Sequence, residues 1–191
     1  MIVDIINIQK IYNSEIFENQ TLTNKEFEDC TFRDCNFSNT DFSNNTFADC
    51  EFIDCNLSNI NISNSFLKNV TFMNCKMIGI DFSTTEEFLF EVNFAESNLD
   101  YTIFDRKKMP KTKFQNCSLK DTSYIGTNLT NAIFENCNLD KAVFDNTILI
   151  GADFSTSHHF TIDPEKNAIR KAKFSNIGIF GLLEKYDIKI L

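Results

Sequence analysis

Tryptophan is absent from these 191 residues, histidine and proline occur twice each, and glycine five times. A β-rich chain usually makes its turns with glycine and proline, so the turns here must fall to other residues. The only histidines, His158 and His159, are adjacent. On an extended chain they point apart, which disfavours a shared metal. Positive charge is also short: 18 basic residues against 27 acidic ones leave a net −9 and a pI of about 4.7. That balance disfavours nucleic acid or an anionic membrane as partner and favours a basic protein surface. No stretch approaches the ~18 consecutive apolar residues of a membrane span. The start, Met1-Ile2-Val3-Asp4-Ile5-Ile6-Asn7, lacks the basic and apolar regions of a secretory signal, so a cytoplasmic location is expected. No serine, cysteine or carboxylate pair stands in a recognisable nucleophile or acid/base setting. The expectation is a non-enzyme without cofactor or metal.

What the chain has in excess is phenylalanine, 21 residues, and it is periodic. From Leu22 a large apolar residue recurs at every fifth position through Phe27, Phe32, Phe37, Phe42, Phe47, Phe52, Leu57, Ile62, Leu67, Phe72 and Met77 to Phe82. A second run goes from Phe94 through Phe114 and Phe134 to Phe154. Five is neither the helical period of ~3.6 nor the strand period of 2, so each unit must contain its own turn. Two positions before most central residues stands a small side chain, such as Cys30, Cys35, Thr40, Ser65, Thr127 or Ala132. Both positions are expected to face inward. Two positions after it, the first run carries Asn or Asp at every unit from Asn24 and Asp29 to Asn69 and Asn74. These residues tolerate tight backbone conformations and should form the corners.

This pattern resembles the pentapeptide-repeat family, as in Ala132-Ile133-Phe134-Glu135-Asn136 followed by Cys137-Asn138-Leu139-Asp140-Lys141. The resemblance covers roughly residues 15–155. It implies an all-β, right-handed quadrilateral parallel β-helix in which four units make one square coil. The sequence supports a coil of 20: Phe94, Phe114, Phe134, Phe154 and Phe174 share one phase, as do Leu99, Leu119 and Leu139. All seven cysteines (Cys30, Cys35, Cys50, Cys55, Cys75, Cys117 and Cys137) fall at the small inward position, where they read as reduced core filler rather than metal ligands or disulfides.

One domain is expected, with residues 1–14 as an N-terminal cap, 15–82 and 94–154 as two stacks, 155–173 as an irregular coil, and 174–191 as a C-terminal cap. Between Phe82 and Phe94 two extra residues enter within 83–93, and a loop should protrude with Glu86, Glu87, Phe88 and Phe90 as candidate partner contacts. In 106–113 the register holds but Lys107 takes a small inward position. A buried unpaired lysine is costly, so this unit is expected to bulge outward and offer Arg106, Lys107, Lys108, Pro110 and Lys111. Ile179, Leu182, Leu183 and Tyr186 follow at helical spacing, and a terminal strand is expected over 188–191.

The segment Gly181-Leu182-Leu183-Glu184-Lys185-Tyr186-Asp187-Ile188 resembles the C-terminal helix that pairs two rods tail to tail in the quinolone-resistance (Qnr-type) branch. That resemblance implies a homodimer through Ile179, Leu182, Leu183, Tyr186 and Ile188. It also implies an acidic mimic of duplex DNA that binds DNA gyrase or topoisomerase IV and protects it from quinolones. Residues 1–105 hold 18 acidic and 5 basic side chains, a net of −13, and residues 106–191 hold 9 acidic and 13 basic, a net of +4. At ~4.8 Å per coil the first part carries about one net charge per 1.9 Å, against one per ~1.7 Å for duplex DNA. The broader expectation is a non-catalytic protein-binding rod or scaffold without a named target.

Overall fold

A computed structural model describes residues 5–189. The chain winds as a right-handed, four-sided parallel β-solenoid of about eight turns, ending in one short helix. Two adjacent faces carry regular strands. Face A holds Ile6–Ile8, Glu26–Glu28, Thr46–Ala48 and Phe66–Lys68. Face B holds nine strands, from Ile11–Asn13 through Val70–Met73, Val92–Ala95 and Lys113–Gln115 to Lys173–Phe174. Faces C and D are joined by single parallel bridges such as Asn36 to Asn56 and Asp41 to Asn61. At ~4.8 Å per strand, face B is about 40 Å long.

The five-residue unit explains this geometry. In each three-residue strand the middle side chain points in and its neighbours point out, as in Glu26-Phe27-Glu28. The chain must then turn about a right angle, and it does so at a residue with φ between +50° and +59° at every Asn or Asp from Asn24 to Asn74. Asn and Asp enter this left-handed region more readily than other non-glycine residues. The second stack puts bulkier residues there as well, among them Tyr101, Arg106 and Lys111 with φ of 63°, 61° and 65°.

Inside, the central rings stack coil upon coil. Along face B, Phe114 and Phe134 lie 4.8 Å apart and 8° from parallel, and Phe134 and Phe154 4.5 Å apart and 10° from parallel. The small position does more than fill space, because its polar hydrogen reaches the carbonyl of the central residue 23 positions earlier, in the coil beneath. Thr40 donates to Phe17 O at 2.7 Å, Ser65 to Phe42 O at 2.7 Å, Thr127 to Phe104 O at 2.8 Å and Cys50 to Phe27 O at 3.4 Å. All seven cysteines are buried and unpaired. Burial pushes the Cys50 thiol up to about 12. Among the buried side-chain nitrogens and oxygens of the described residues, the Tyr124 hydroxyl lacks a hydrogen-bond partner, and burial holds its pKa well above the usual value.

The ends depart from expectation. Residues 6–13 are a first coil rather than a separate cap, since Ile6 pairs with Glu26 and Ile11 with Thr31. Its inward residues are Asn7 and Tyr12, joined by a 2.8 Å hydrogen bond from the Tyr12 hydroxyl, so the apolar signal of the repeat is missing there. Residues 155–173 still complete a coil, because Phe160 and Ile162 fill the core and Phe174 pairs with Phe154. The helix Phe180–Leu183, extended by Glu184–Tyr186, lies across the last coil, and Gly181 O accepts the Ile162 N–H at 3.0 Å. A Cβ at Gly181 would meet Phe160 O at 2.0 Å, so only glycine permits this close approach. No strand forms at 188–189, and residues 190–191 lie outside the described residues.

Phe134→Ala should cost about 3–5 kcal/mol in chemical denaturation, as expected for a buried aromatic. Tyr124→Phe should leave stability unchanged or raise it by about 1 kcal/mol, because it removes an unpartnered buried hydroxyl. The seven thiols should resist alkylation in the native protein and react on unfolding; rapid native labelling of Cys35, Cys55 or Cys75 would contradict their placement.

Candidate protein-contact surface

The two irregular segments, 83–93 and 106–113, meet in space. On face A the ladder stops after Phe66–Lys68. Glu86 N–H still bonds to Ser65 O at 3.0 Å and Glu91 N–H to Leu67 O at 2.9 Å, so both ends of the insertion stay in register. The residues between them leave the face. Phe90 folds back into the core, 8% exposed and edge-on to Phe82, whereas Phe88 and Leu89 are 70% and 54% exposed at the tip. Leu89 takes φ 57°, the corner conformation that Asn69 adopts one coil earlier.

The next coil does not bulge outward. Met109 is buried, its N–H bonds to Asn128 O at 2.8 Å, and Lys107 is 3% exposed. The sequence offered Lys107 as an exposed contact; the structure instead puts it inside, fully engaged. Its ammonium donates to Thr85 O at 2.8 Å and Glu86 O at 3.3 Å, lies 3.6 Å from a Glu87 carboxylate oxygen, and sits 4.5 Å from the centre of the Phe90 ring. Burial lowers its pKa, with Glu87 acting in the opposite direction. Glu87 also accepts the Lys108 N–H at 3.2 Å. A side-chain ion pair thus replaces the interrupted backbone ladder, because the carbonyls and N–H groups left over by the insertion need partners out of water.

Of the other candidate contacts, Glu86, Glu87, Arg106, Lys108, Pro110 and Lys111 are exposed, and Phe90 is not. A shallow groove of about 340 Å³ runs between loop and coil, lined by Lys68, Leu89, Phe90, Glu91, Pro110 and Lys111 among others. Sequence reasoning missed Lys107 as a buried staple. The signal was present: a lysine at an inward position one coil, plus the two inserted residues, beyond Thr85.

The candidate dimer residues divide. Leu182 packs on the core and Leu183 is half-buried, whereas Ile179, Tyr186 and Ile188 are 43%, 48% and 56% exposed. Lys185 pins the segment through Asp163 at 2.6 Å and Glu165 at 2.8 Å. His158 and His159 do not point apart: the φ of 61° at His159 turns the chain and brings the rings edge to face at 4.7 Å. Among the described residues no group of three or more His, Cys, Asp or Glu side chains is arranged to hold a metal ion. No helix among them is long and apolar enough to cross a membrane.

No curated protein sequence matches the chain. Among solved structures, a trypsin-treated point variant of QnrB1, a plasmid-mediated fluoroquinolone resistance protein, superposes with a TM-score of 0.76 at 16% identity, covering 99% of this chain and 100% of that one. Full-length QnrB1 gives 0.69 at 17% identity over 96% and 100% of the two chains. HetL, a pentapeptide-repeat protein involved in heterocyst differentiation regulation from the cyanobacterium Nostoc sp. strain PCC 7120, gives 0.50 at 14% identity over 88% and 86%. These likenesses establish the fold. Family models described as a pentapeptide repeat region and as pentapeptide repeats match residues 25–104 and 125–158, together more than half of the chain. With its square coils, inward Phe stacks and corner residues, the chain belongs to the pentapeptide-repeat family.

Proposed function

We propose that this protein is a non-catalytic protein-binding rod whose contact element is the loop at 83–93. The observation that carries the reading is the posture of the tip. Phe88 and Leu89 stand in solvent, while Lys107 fixes the loop behind them from within the core. An exposed aromatic on a pre-ordered support loses little conformational freedom on binding and can serve as an anchor. The rim around it carries both signs, Glu86 and Glu91 on the loop and Lys108 and Lys111 on the next coil.

A second reading draws on the acidic half. Residues 1–105 carry a net −13, the carboxylates among the described residues stand at outward positions of a rod whose fold matches QnrB1, and this supports a mimic of duplex DNA directed at a type II topoisomerase. The exposed Ile179, Tyr186 and Ile188 at the C-terminal end support tail-to-tail pairing of two rods, which would bury an apolar patch on both copies.

The loop reading predicts that affinity capture followed by mass spectrometry recovers a protein with the native chain and loses it with the Phe88→Asp, Leu89→Asp variant. An identical set of captured proteins would count against the loop. In a gyrase supercoiling assay with a quinolone, the DNA-mimic reading predicts restored supercoiling, and no change at a molar excess of the protein would remove it. Lys107→Met should cost about 1–3 kcal/mol, the penalty for unsatisfied buried carbonyls. It should also speed amide exchange across 85–91, whereas Lys108→Ala should do neither.

A further inference from the structure

Above the insertion, face A continues through the sixth to ninth coils, counting the coil of Ile6–Ile8 as the first, by the parallel bridges Lys108 to Asn128, Asn128 to Ile148 and Ile148 to Ala168. With its two corners this part of the face comprises residues 106–111, 126–131, 146–151 and 166–171. The four segments hold seven basic residues and no acidic one, whereas the rest of residues 106–191 holds six basic and nine acidic. Lys107 is buried. The other six cations are exposed and form two bars, Arg106, Lys108 and Lys111 in the sixth coil and Lys166, Arg170 and Lys171 in the ninth. Lys108 lies 3.8 Å from Glu87 and Lys166 3.7 Å from Asp145. Lys111 shares a groove with Glu91 without forming an ion pair, and Arg106, Arg170 and Lys171 have no carboxylate at ion-pair distance among the described residues. The bars are three coils apart, about 14 Å. The floor between them is uncharged, with Asn128, Thr130 and Asn131 in the seventh coil and the apolar Ile148 and Ile150 in the eighth, of which Ile148 is 37% exposed.

We propose that this face binds an acidic amphipathic helix of a protein partner, lying parallel to the strands over the seventh and eighth coils. A helix with its side chains is ~10–12 Å across, so it fits between bars of this separation. Its apolar stripe rests on Ile148 and Ile150, and carboxylates along both edges of the stripe reach the two bars. Complementary charge of this kind fixes orientation and speeds association. Nucleic acid suits the face less well. The four segments contain no aromatic ring on which a base could stack, and a polyanion leaving the face along the rod runs onto Glu86, Glu87 and Glu91 of the fifth coil. The inference rests on the reading of the chain as a protein-binding rod but not on the loop at 83–93 as its contact.

The test uses the full chain and a fluorescein-labelled helical peptide of ~18 residues, alanine-based, with leucines along one stripe and glutamates along both its edges, in fluorescence anisotropy at ~0.05 M salt, where screening is weak. Saturable binding is expected. A variant with Arg106→Glu, Lys111→Glu, Arg170→Glu and Lys171→Glu should bind about tenfold more weakly or worse, as the loss of several exposed ion pairs implies. An Ile148→Ser, Ile150→Ser variant should also bind more weakly, and both should keep native circular dichroism. Should the charge reversals cost folding, alanine at the same four positions supplies the comparison. The Phe88→Asp, Leu89→Asp variant should bind the peptide as the native chain does, so failure here leaves the loop reading standing. Absence of peptide binding overturns the proposal, as does equal binding of a peptide with the same composition in scrambled order. Single-stranded or duplex DNA that competes better than unlabelled peptide would assign the face to nucleic acid. Light scattering at twice the 22.0 kDa chain mass, reduced to the single-chain mass by the four charge reversals, would show a second copy of the chain covering the face and would likewise overturn it.

Discussion

Central residues turn their carbonyl oxygens into the shaft of the solenoid, and where the small inward residue one coil above carries a polar hydrogen it donates that hydrogen to the oxygen beneath. Thr40, Ser65, Thr127 and Ser157 do so with hydroxyls at 2.7–2.8 Å, and Cys50 and Cys137 with thiols at 3.4 Å. This bond explains why Ser, Thr and Cys recur at a position where size alone would be met by alanine. Glycine would fit but would forgo this bond, leaving Phe17 O and Phe104 O with only the Gln20 and Lys107 N–H groups at 3.1 Å, and a lost hydrogen bond costs about 0.5–1.5 kcal/mol. Alanine is tolerated at Ala132 and Ala152, where the carbonyls 23 positions earlier, Met109 O and Leu129 O, accept the backbone N–H groups of Thr112 at 3.4 Å and Ala132 at 3.0 Å. Asn45 and Asn167 meet the same need with side-chain amides, to Leu22 O at 2.6 Å and Phe144 O at 3.0 Å.

Lys107 turns the same inward position to a different acceptor. At its level the coil beneath has two extra residues, the backbone ladder on face A is broken, and the carbonyls that need a donor are those of Thr85 and Glu86 in the insertion. A lysine spans that gap and serves two carbonyls at once. Its charge is tolerable in the core because Glu87 and the face of Phe90 sit beside it. The insertion and the lysine are therefore one structural device, in which the irregular loop is secured by an irregular residue in the following coil.

The repeat phase, the inward cysteines and the Asn and Asp corners were legible in the sequence because each follows from one-dimensional spacing. Three features were not. The first coil was hidden because Asn7 and Tyr12 occupy central positions, and a search for apolar residues passes over a polar pair that satisfies itself by hydrogen bonding. The burial of Lys107 was hidden because cost was weighed without partners, and the partners are carbonyls 21 and 22 residues away. The contact of His158 with His159 was hidden because an extended chain was assumed where the corner conformation continues at φ 61°. Each miss came from reading a residue by its type where the coil beneath decided its role.

Stability and surface are nearly separate in this fold. The inward positions are set by ring stacking and by the carbonyl rule, while the outward residues of each short strand touch little besides the coils directly above and below. Charge on the faces can accordingly vary at small cost to folding. The division of the chain into a −13 part and a +4 part is then not needed by the solenoid. A charge division that the core neither demands nor rewards, in a rod whose side also carries the inserted loop, is better explained by what binds the surface than by what holds it together.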